Sequence, residues 1–533
     1  MTYADGGREF VRRNGLLISW MAVAVLVRIA FWIVTDRVWE DALITIAHAR
    51  NAVAGHGLTH HPGEGLVHGF TSALSVLIPL AGEQVADGWG ITALRVASLA
   101  AAAVSILYGY LISQRLGLGA WATSFVLAVL ALNQNHIFYG MAGMETEVAV
   151  AVLLGGIFHV LSRHFLRSGV LAGIAVLARP DLLLWAMPVV LWALLAGRRP
   201  LLRAASGFVA AVAPWVVFTT LYYGSPIPHT IPAKAAMWSP LPAVVASPSA
   251  LIEVAGGRVT TGVVNLVRAF TPFYEDGFVV AAPVPLSVVL AVGAVVLVLA
   301  LWGGWLSRRV GSWWPVLAYA VLFIVYRAAL LPTGYFDWYL PPFTAVAALL
   351  VGVSVQRIAT RTPSAGRVLA VALVVAGAIH LPFSMGIESR IQREIEDDIR
   401  VPVGRYLGDV VAADEAFVSE SAGYFGYYSE ATIWDHPGLT SPTAYAAVSS
   451  LPPEDRRIEG LVDTLHPAWA VFRPPEWARF ELDFPDSARC YRAARSFGIP
   501  GRDRVEWGGL EKVSLDWSFT VYRWDETCGP PAS

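Results

Sequence analysis

Five short motifs interrupt an otherwise apolar sequence with residue types that could do chemistry. The first is Glu40-Asp41 in VWEDALITIAHARNAVAGHGL, followed by His60, His61, Glu64 and His68 in THHPGEGLVHGFTS. A carboxylate within hydrogen-bond reach of a hydroxyl can serve as its general base, although adjacent acids at a helix start also cap it. The neighbours differ by about 100° around such a helix, so one of them, Asp41, is expected to work on a given atom. The three histidines and Glu64 could hold a metal, but their spacing fits no standard ligand pattern, so a divalent cation stays open as the one candidate cofactor. The second motif is Gly143-Met144-Glu145-Thr146 and the third is Arg179-Pro180-Asp181. Helix-start chemistry accounts for part of both. The fourth, SPIPHTIPAKAAMW, carries His229 and Lys234. Only Lys234 and Lys512 are lysines among 38 basic residues, and a compact ammonium suits a phosphate as a point charge. The fifth is Tyr335-Phe336-Asp337-Trp338-Tyr339, where an interfacial aromatic belt explains the rings but not Asp337.

The elements that must position these motifs are membrane helices. Of 533 residues 56% are hydrophobic and 15% charged, against about 25% charged in soluble proteins; the mean hydropathy is +0.56. A net charge of −2 without a basic tract excludes nucleic acid as the main partner. Apolar segments at 16–34, 91–113, 119–137, 145–162, 169–178, 181–196, 201–222, 283–306, 313–331, 339–356 and 367–385 give about eleven crossings. Arg115, Arg163/Arg167, Arg198/Arg199/Arg203, Arg308/Arg309 and Arg357/Arg361/Arg367 fall at every second turn. The positive-inside pattern then puts the N-terminus in the cytoplasm and the C-terminus outside. Segment 70–82 is too short to cross and reads as re-entrant or interfacial. The expected architecture is a polytopic α-helical membrane module over 1–385 and an extracytoplasmic α/β soluble domain over 386–533, in a multi-pass protein of the cell membrane. Cys490 and Cys528 both fall in that outer domain, where a disulfide is permitted.

In this topology all five motifs face the outer compartment. Carboxylates, histidines, an arginine and a lysine on one face suit an anionic, lipid-linked substrate. A transporter or flippase is the competing class, but it should show inverted repeats with matching broken helices, and no such symmetry is visible.

The first loop, WEDALITIAHARNAVAGHGL followed by HPGEGLVHGFTS, resembles the first-loop signature of GT-C glycosyltransferases. GMET, ARPD, the HT…AK loop and SAGYFGYYSEATIWDHPGLTSP follow in the family's order. Within that superfamily the chain is most similar to the actinobacterial terminal arabinofuranosyltransferases, which finish cell-wall arabinan from decaprenyl-phosphoryl arabinose. It departs from them at Glu40, where the family usually has Asp, and in EGLVHGF, where arabinan enzymes tend to have an arginine after the glutamate. The resemblance implies a GT-C fold and transfer of a sugar from a polyprenyl-phosphate donor to a cell-envelope glycan on the outer face. A protein O-glycosyltransferase is the alternative. It implies a donor phosphate near Lys234, Arg179 and His229, and an acceptor hydroxyl at Asp41 or Glu40. Glu64, His68, Glu145, Asp181, Tyr335, Asp337 and Trp338 would contact substrate, and the outer domain could hold a glycan by stacking on its aromatic side chains.

Overall fold

The computed structural model describes residues 3–238, 279–281, 284–329 and 337–529. The first half runs α1 (Tyr3–Thr35), α2 (Glu40–Val53), α3 (Ala73–Val85), α4 (Gly90–Arg115), α5 (Ala120–Leu132), α6 (Gln134–Met141), α7 (Thr146–Leu161), α8 (Phe165–Ala178), α9 (Leu183–Leu195), α10 (Arg198–Tyr223) and α11 (Thr230–Trp238). A strand, β1 (Val279–Ala281), precedes α12 (Leu286–Ser307), α13 (Trp314–Ala329), α14 (Leu340–Arg361), α15 (Pro363–Ala378) and α16 (Leu381–Ile391). Six described stretches are long and apolar enough to cross a bilayer: Asn14–Thr35, Gly90–Arg115, Arg198–Tyr223, Leu286–Ser307, Asp337–Arg361 and Pro363–Val410. The shorter α8 spans only about 21 Å at 1.5 Å per residue, less than a hydrocarbon core.

Two expected continuous segments are broken. The 119–137 stretch splits at Asn133, whose side chain accepts the N–H groups of Asn135 and His136 and so starts α6. The last carbonyls of α5 are thereby orphaned. Buried Arg28 of α1 satisfies those of Leu130 and Ala131 at 3.1 and 3.2 Å while pairing with Glu147 at 3.1 Å. The 367–385 stretch breaks between α15 and α16, with Pro382 in the first turn of the new helix. Most of segment 70–82 falls in the helix α3, which is about 20 Å long.

Helices pack closely where glycine removes the side chain. A Cβ at Gly169 of α8 would sit 1.9 Å from the Ala204 carbonyl oxygen of α10, and one at Gly303 of α12 would sit 1.8 Å from that of Leu350 of α14. Small residues let membrane helices approach in this way. The chain path sets the ends of the bundle. α7 starts beside Glu145 and ends before Arg163; α8 returns to Arg179; α9 runs out again to Arg198, and α14 runs from beside Trp338 to Arg361. The motifs therefore share one end of the bundle and these arginines the other.

Beyond α16, a wide-turned segment, Gln392–Arg400, leads into α17 (Val401–Val410). There follow β2 (Ala416–Ser419), α18 (Ala422–Ser429), β3 (Thr432–Asp435), α19 (Pro442–Ser450), α20 (Ile458–Leu465), β4 (Trp469–Phe472), α21 (Pro474–Asp483), α22 (Pro485–Ala488), β5 (Tyr491–Gly498), β6 (Arg504–Trp507), β7 (Leu510–Val513) and β8 (Ser518–Trp524). A mixed sheet has the order β3-β2-β4-β8-β5, and a second, antiparallel one the order β1-β7-β6. β1 thus joins the C-terminal α/β part from outside 386–533. Cys490 and Cys528 form a disulfide with Cα atoms 5.9 Å apart.

A buried chain of ions joins this α/β part to the start of α2. Arg37 pairs with Glu388 at 3.1 Å and Glu396 at 2.8 Å, and Lys512 reaches Glu388 at 3.0 Å. Arg400 pairs with Glu396 at 3.0 Å and also with Glu40. Arg473 pairs with Asp516 and Glu476, both at 2.7 Å.

Candidate active site

A cavity of about 380 Å³ opens at the motif end of the bundle, between α2, the starts of α3 and α7, the Arg179 turn, α11 and the start of α14. Asp41 and Thr45, one turn apart on α2, form one wall. Two contacts fix the entry to that helix: the Trp39 N–H bonds to the Ala142 carbonyl at 2.9 Å, and its indole packs edge-on against Phe138, Tyr139 and Trp338. Gly143 takes φ +96°, and a Cβ there would lie 2.3 Å from Ile91 and 3.0 Å from Ala42. The glycine of GMET is required for the turn before α7 to sit against α2.

The cations of the lining come from the Arg179 turn and from α11. Ser72 starts α3 by accepting the Ser75 N–H and donates to the Ala178 carbonyl at 2.5 Å, tying α3 to the turn that presents Arg179. Arg179 meets Asp181 at 3.1 Å and Glu145 at 3.6 Å, and its guanidinium lies 4.4 Å from the Tyr339 ring centre. Thr71 and Thr230 share a hydrogen bond of 2.9 Å, anchoring α11 so that Lys234 lines the cavity one turn on. Burial pushes the Asp41 carboxyl above its ordinary value, with Lys234 and then Arg179 drawing it back. Burial likewise lowers the Lys234 ammonium, against the pull of Asp41. A carboxylate facing a lysine, with an arginine held by two further carboxylates, can take a proton from one reactant while holding an anion on the other.

Sequence and structure comparisons bear on the fold. A family described only as a domain of unknown function (DUF8728) matches residues 389–519. No curated protein matches the sequence. Among solved structures, ArnT from Cupriavidus metallidurans bound to undecaprenyl phosphate is similar over 97% of this chain and 99% of that one, at 11% identity and a TM-score of 0.57. The apo state of that protein is similar over 98% and 100%, at 12% identity and 0.53. The chain has the GT-C fold. The oligosaccharyltransferase of Archaeoglobus fulgidus in the apo form also matches, over 91% of this chain and 74% of that one, at 12% identity and a TM-score of 0.49.

On this GT-C frame the residues expected to form one site fall into separate places. The cavity gathers Asp41, Glu145, Arg179, Asp181, Lys234 and Trp338. Glu40 is not among its lining residues; it pairs with Arg400 and accepts the Gly423 N–H at 2.5 Å. Glu64 lies beside Ser441 and Thr443, and His60 packs on Gly426, so this part of the first loop is a seat for the α/β part. His68 stacks on Tyr223 at 4.8 Å, and the ring of His229 meets Tyr445 edge-on at 5.0 Å. Neither histidine lines the cavity. Burial draws His61 and His68 down to about 4, which favours the neutral form of both at physiological pH. Asp337 pairs with Arg327 at 2.7 Å, outside the lining. Tyr335 lies outside the described residues. Among the described residues, no group of three His, Cys, Asp or Glu side chains is arranged to hold a metal ion.

Sequence reasoning missed Thr45, Tyr326 and Leu439 of the lining, and it missed Arg37 and Arg400. Leu439 enters from the WDHPGLTSP motif, whose Asp435 accepts the N–H groups of Leu439 and Thr440. A signal for Arg400 does exist: Glu388, Gln392, Glu396 and Arg400 recur every four residues beside Ile387, Ile391, Ile395 and Ile399, and all eight are buried.

Proposed function

We propose that this protein is a membrane glycosyltransferase that moves a sugar from a polyprenyl-phosphate donor to a cell-envelope glycan. Arabinofuranose is the favoured sugar, and the reaction takes place on the outer face. Residues 1–385 form the catalytic module, and 386–533 lie outside the membrane, where they meet the acceptor. The observation that carries this reading is the cavity itself: Asp41 shares it, and interacts electrostatically, with Lys234 and Arg179 at the end of the bundle away from the arginine-rich turns. The positive-inside rule puts that end outside. The order of the GT-C motifs and the fold shared with ArnT, crystallised with undecaprenyl phosphate, support it further.

In this mechanism Asp41 accepts the proton of the acceptor hydroxyl as its oxygen bonds to the anomeric carbon. The bond from that carbon to the phosphate oxygen breaks, and its electron pair leaves on the phosphate. Lys234 faces that charge directly. Arg179, already bonded to Asp181 and Glu145, holds the wall in shape and adds positive potential. Turnover of the purified protein on a panel of polyprenyl-phosphate sugars tests the reading. Decaprenyl-phosphoryl arabinose should be the best donor. Lipid movement across vesicles without any sugar transfer would make it a flippase, and transfer only to a serine- or threonine-bearing peptide would make it a protein O-glycosyltransferase.

Two further outcomes follow from the cavity. Lys234→Ala should weaken undecaprenyl phosphate binding by roughly 10–100-fold, the worth of one charge-assisted hydrogen bond. Its affinity for uncharged undecaprenol should hold, and equal losses for both lipids would mean a packing defect. The pH profile has a definite sign. Asp41 accepts a proton only above its raised pKa, and Lys234 is a cation only below its lowered one. Both limbs of kcat/KM should therefore be drawn toward neutrality. Lys234→Ala should move the acid limb higher still, because the strongest pull on Asp41 is lost. An acid limb at the ordinary aspartate position in the native protein would remove Asp41 from the role.

A further inference from the structure

Glu40 and Asp41 are consecutive, yet they serve different surroundings, about 100° apart around α2. Asp41 lines the cavity, whereas Glu40 is bound into the α/β part. Its carboxylate pairs with Arg400 and accepts the N–H groups of Gly423 at 2.5 Å and Tyr424 at 3.3 Å, at the start of α18. The two backbones touch: a Cβ at Gly423 would fall 2.1 Å from the Glu40 carbonyl oxygen, so only glycine lets α18 approach this closely. Arg400 is itself fixed. It donates to Glu396 at 3.0 Å and to the Ser421 hydroxyl at 2.9 Å, and its guanidinium lies 4.8 Å from the Tyr424 ring centre. The Tyr424 hydroxyl in turn donates to the Val38 carbonyl at 3.0 Å.

The start of α2 has no side-chain cap of its own: Trp39, at its N-cap, makes no side-chain capping bond, and the first turn of a helix is where unsatisfied groups let it fray. Trp39 is held by Ala142 and by the rings of Phe138, Tyr139 and Trp338, whereas Val38 and Glu40 are bonded to Gln392, Arg400, Gly423 and Tyr424, more than 350 positions later in the chain.

We propose that Arg400, acting through Glu40 together with the N–H groups of Gly423 and Tyr424, is the positioning group for Asp41. The ion pair anchors the residue before Asp41 and so sets the angle at which the Asp41 carboxylate enters the cavity. The α/β part is thereby a component of the catalytic apparatus as well as a platform for the acceptor. The consequence for turnover rests on the transferase reading; the consequence for α2 does not.

The experiment compares Arg400→Ala, Arg400→Lys and Glu40→Gln with the native full chain in lipid nanodiscs. Three quantities are read: amide hydrogen exchange over residues 41–45, steady-state kcat and KM with decaprenyl-phosphoryl arabinose, and affinity for undecaprenyl phosphate. Arg400→Ala should speed exchange over 41–45 and lower kcat by roughly 10–100-fold, the scale of a misaimed catalytic group, with donor KM and lipid affinity changed less than about threefold. Arg400→Lys should restore part of kcat. Glu40→Gln keeps an oxygen for the Gly423 N–H but loses the charge, and should fall between; it decides the matter if Arg400→Ala does not fold. A folded Arg400→Ala with native exchange over 41–45, or with native kcat, overturns the proposal. If the native protein transfers no sugar from any donor, the transferase reading fails, while the exchange data still decide whether Arg400 holds α2.

Discussion

Asp41→Asn should lower sugar transfer by roughly 10²–10⁴-fold, the usual worth of a positioned general base. The replacement keeps the size of the side chain and removes only its ability to accept the proton. Donor binding should move in the other direction or not at all. Asp41 and Lys234 act on each other electrostatically across the cavity, so neutralising the carboxylate removes a repulsion from an incoming phosphate. A variant that loses turnover while holding or gaining affinity for undecaprenyl phosphate identifies the base. Parallel loss of turnover and lipid affinity would instead mean that Asp41 shapes the cavity. Native turnover would take Asp41 out of the chemistry altogether.

The largest expected change in stability lies at the junction. Arg37 is 5% exposed and bonds to Glu388, Gln392, Glu396 and the Val38 carbonyl. Arg37→Ala leaves two buried carboxylates short of a partner, and breaking such a pair from one side costs about 3–5 kcal/mol. Lys512 and Arg400 still face Glu388 and Glu396, which argues for the lower end of that range. Thermal unfolding in detergent checks it. The double variant Arg37→Ala with Glu396→Gln should recover part of the loss, because one of the stranded charges is gone. If the single variant unfolds at the native temperature, the junction does not depend on this ion chain.

The membrane half was largely legible because hydropathy and arginine placement are one-dimensional signals, readable segment by segment. Where it failed, a side chain had overridden the apolar run: Asn133 begins a new helix inside 119–137, and Arg28 satisfies the carbonyls so freed. Asp41, Glu145, Arg179, Asp181 and Lys234 could be picked out because each is a costly polar residue beside a membrane helix. The same rule also picks out Glu40, His60, Glu64 and Asp337, which lie outside the cavity lining and against other parts of the chain. Polarity says that a residue needs a partner, and it does not say whether that partner is a substrate or another part of the chain. The ridge Glu388-Gln392-Glu396-Arg400 was hidden for a geometric reason. Residues four apart drift by about 40° per step around an α-helix, so the pattern reads as a solvated charged surface. The wider turns over Gln392–Arg400 hold these residues nearer one line, toward Arg37 and Glu40.

The strand β1 bears on whether the C-terminal part can be moved as a unit. Val279 and Ala281 pair with Lys512 and Glu511 of β7, and β6 covers the other side. A fragment starting at residue 386 would leave one edge of β7 bare, and an unpaired edge invites pairing with another chain. It would also lose Glu40, the partner that Arg400 and the start of α18 are built around. This part of the protein is therefore not a portable cassette. A chimera that exchanges it between relatives has to carry the segment around 279–281 and the start of α2 along with it.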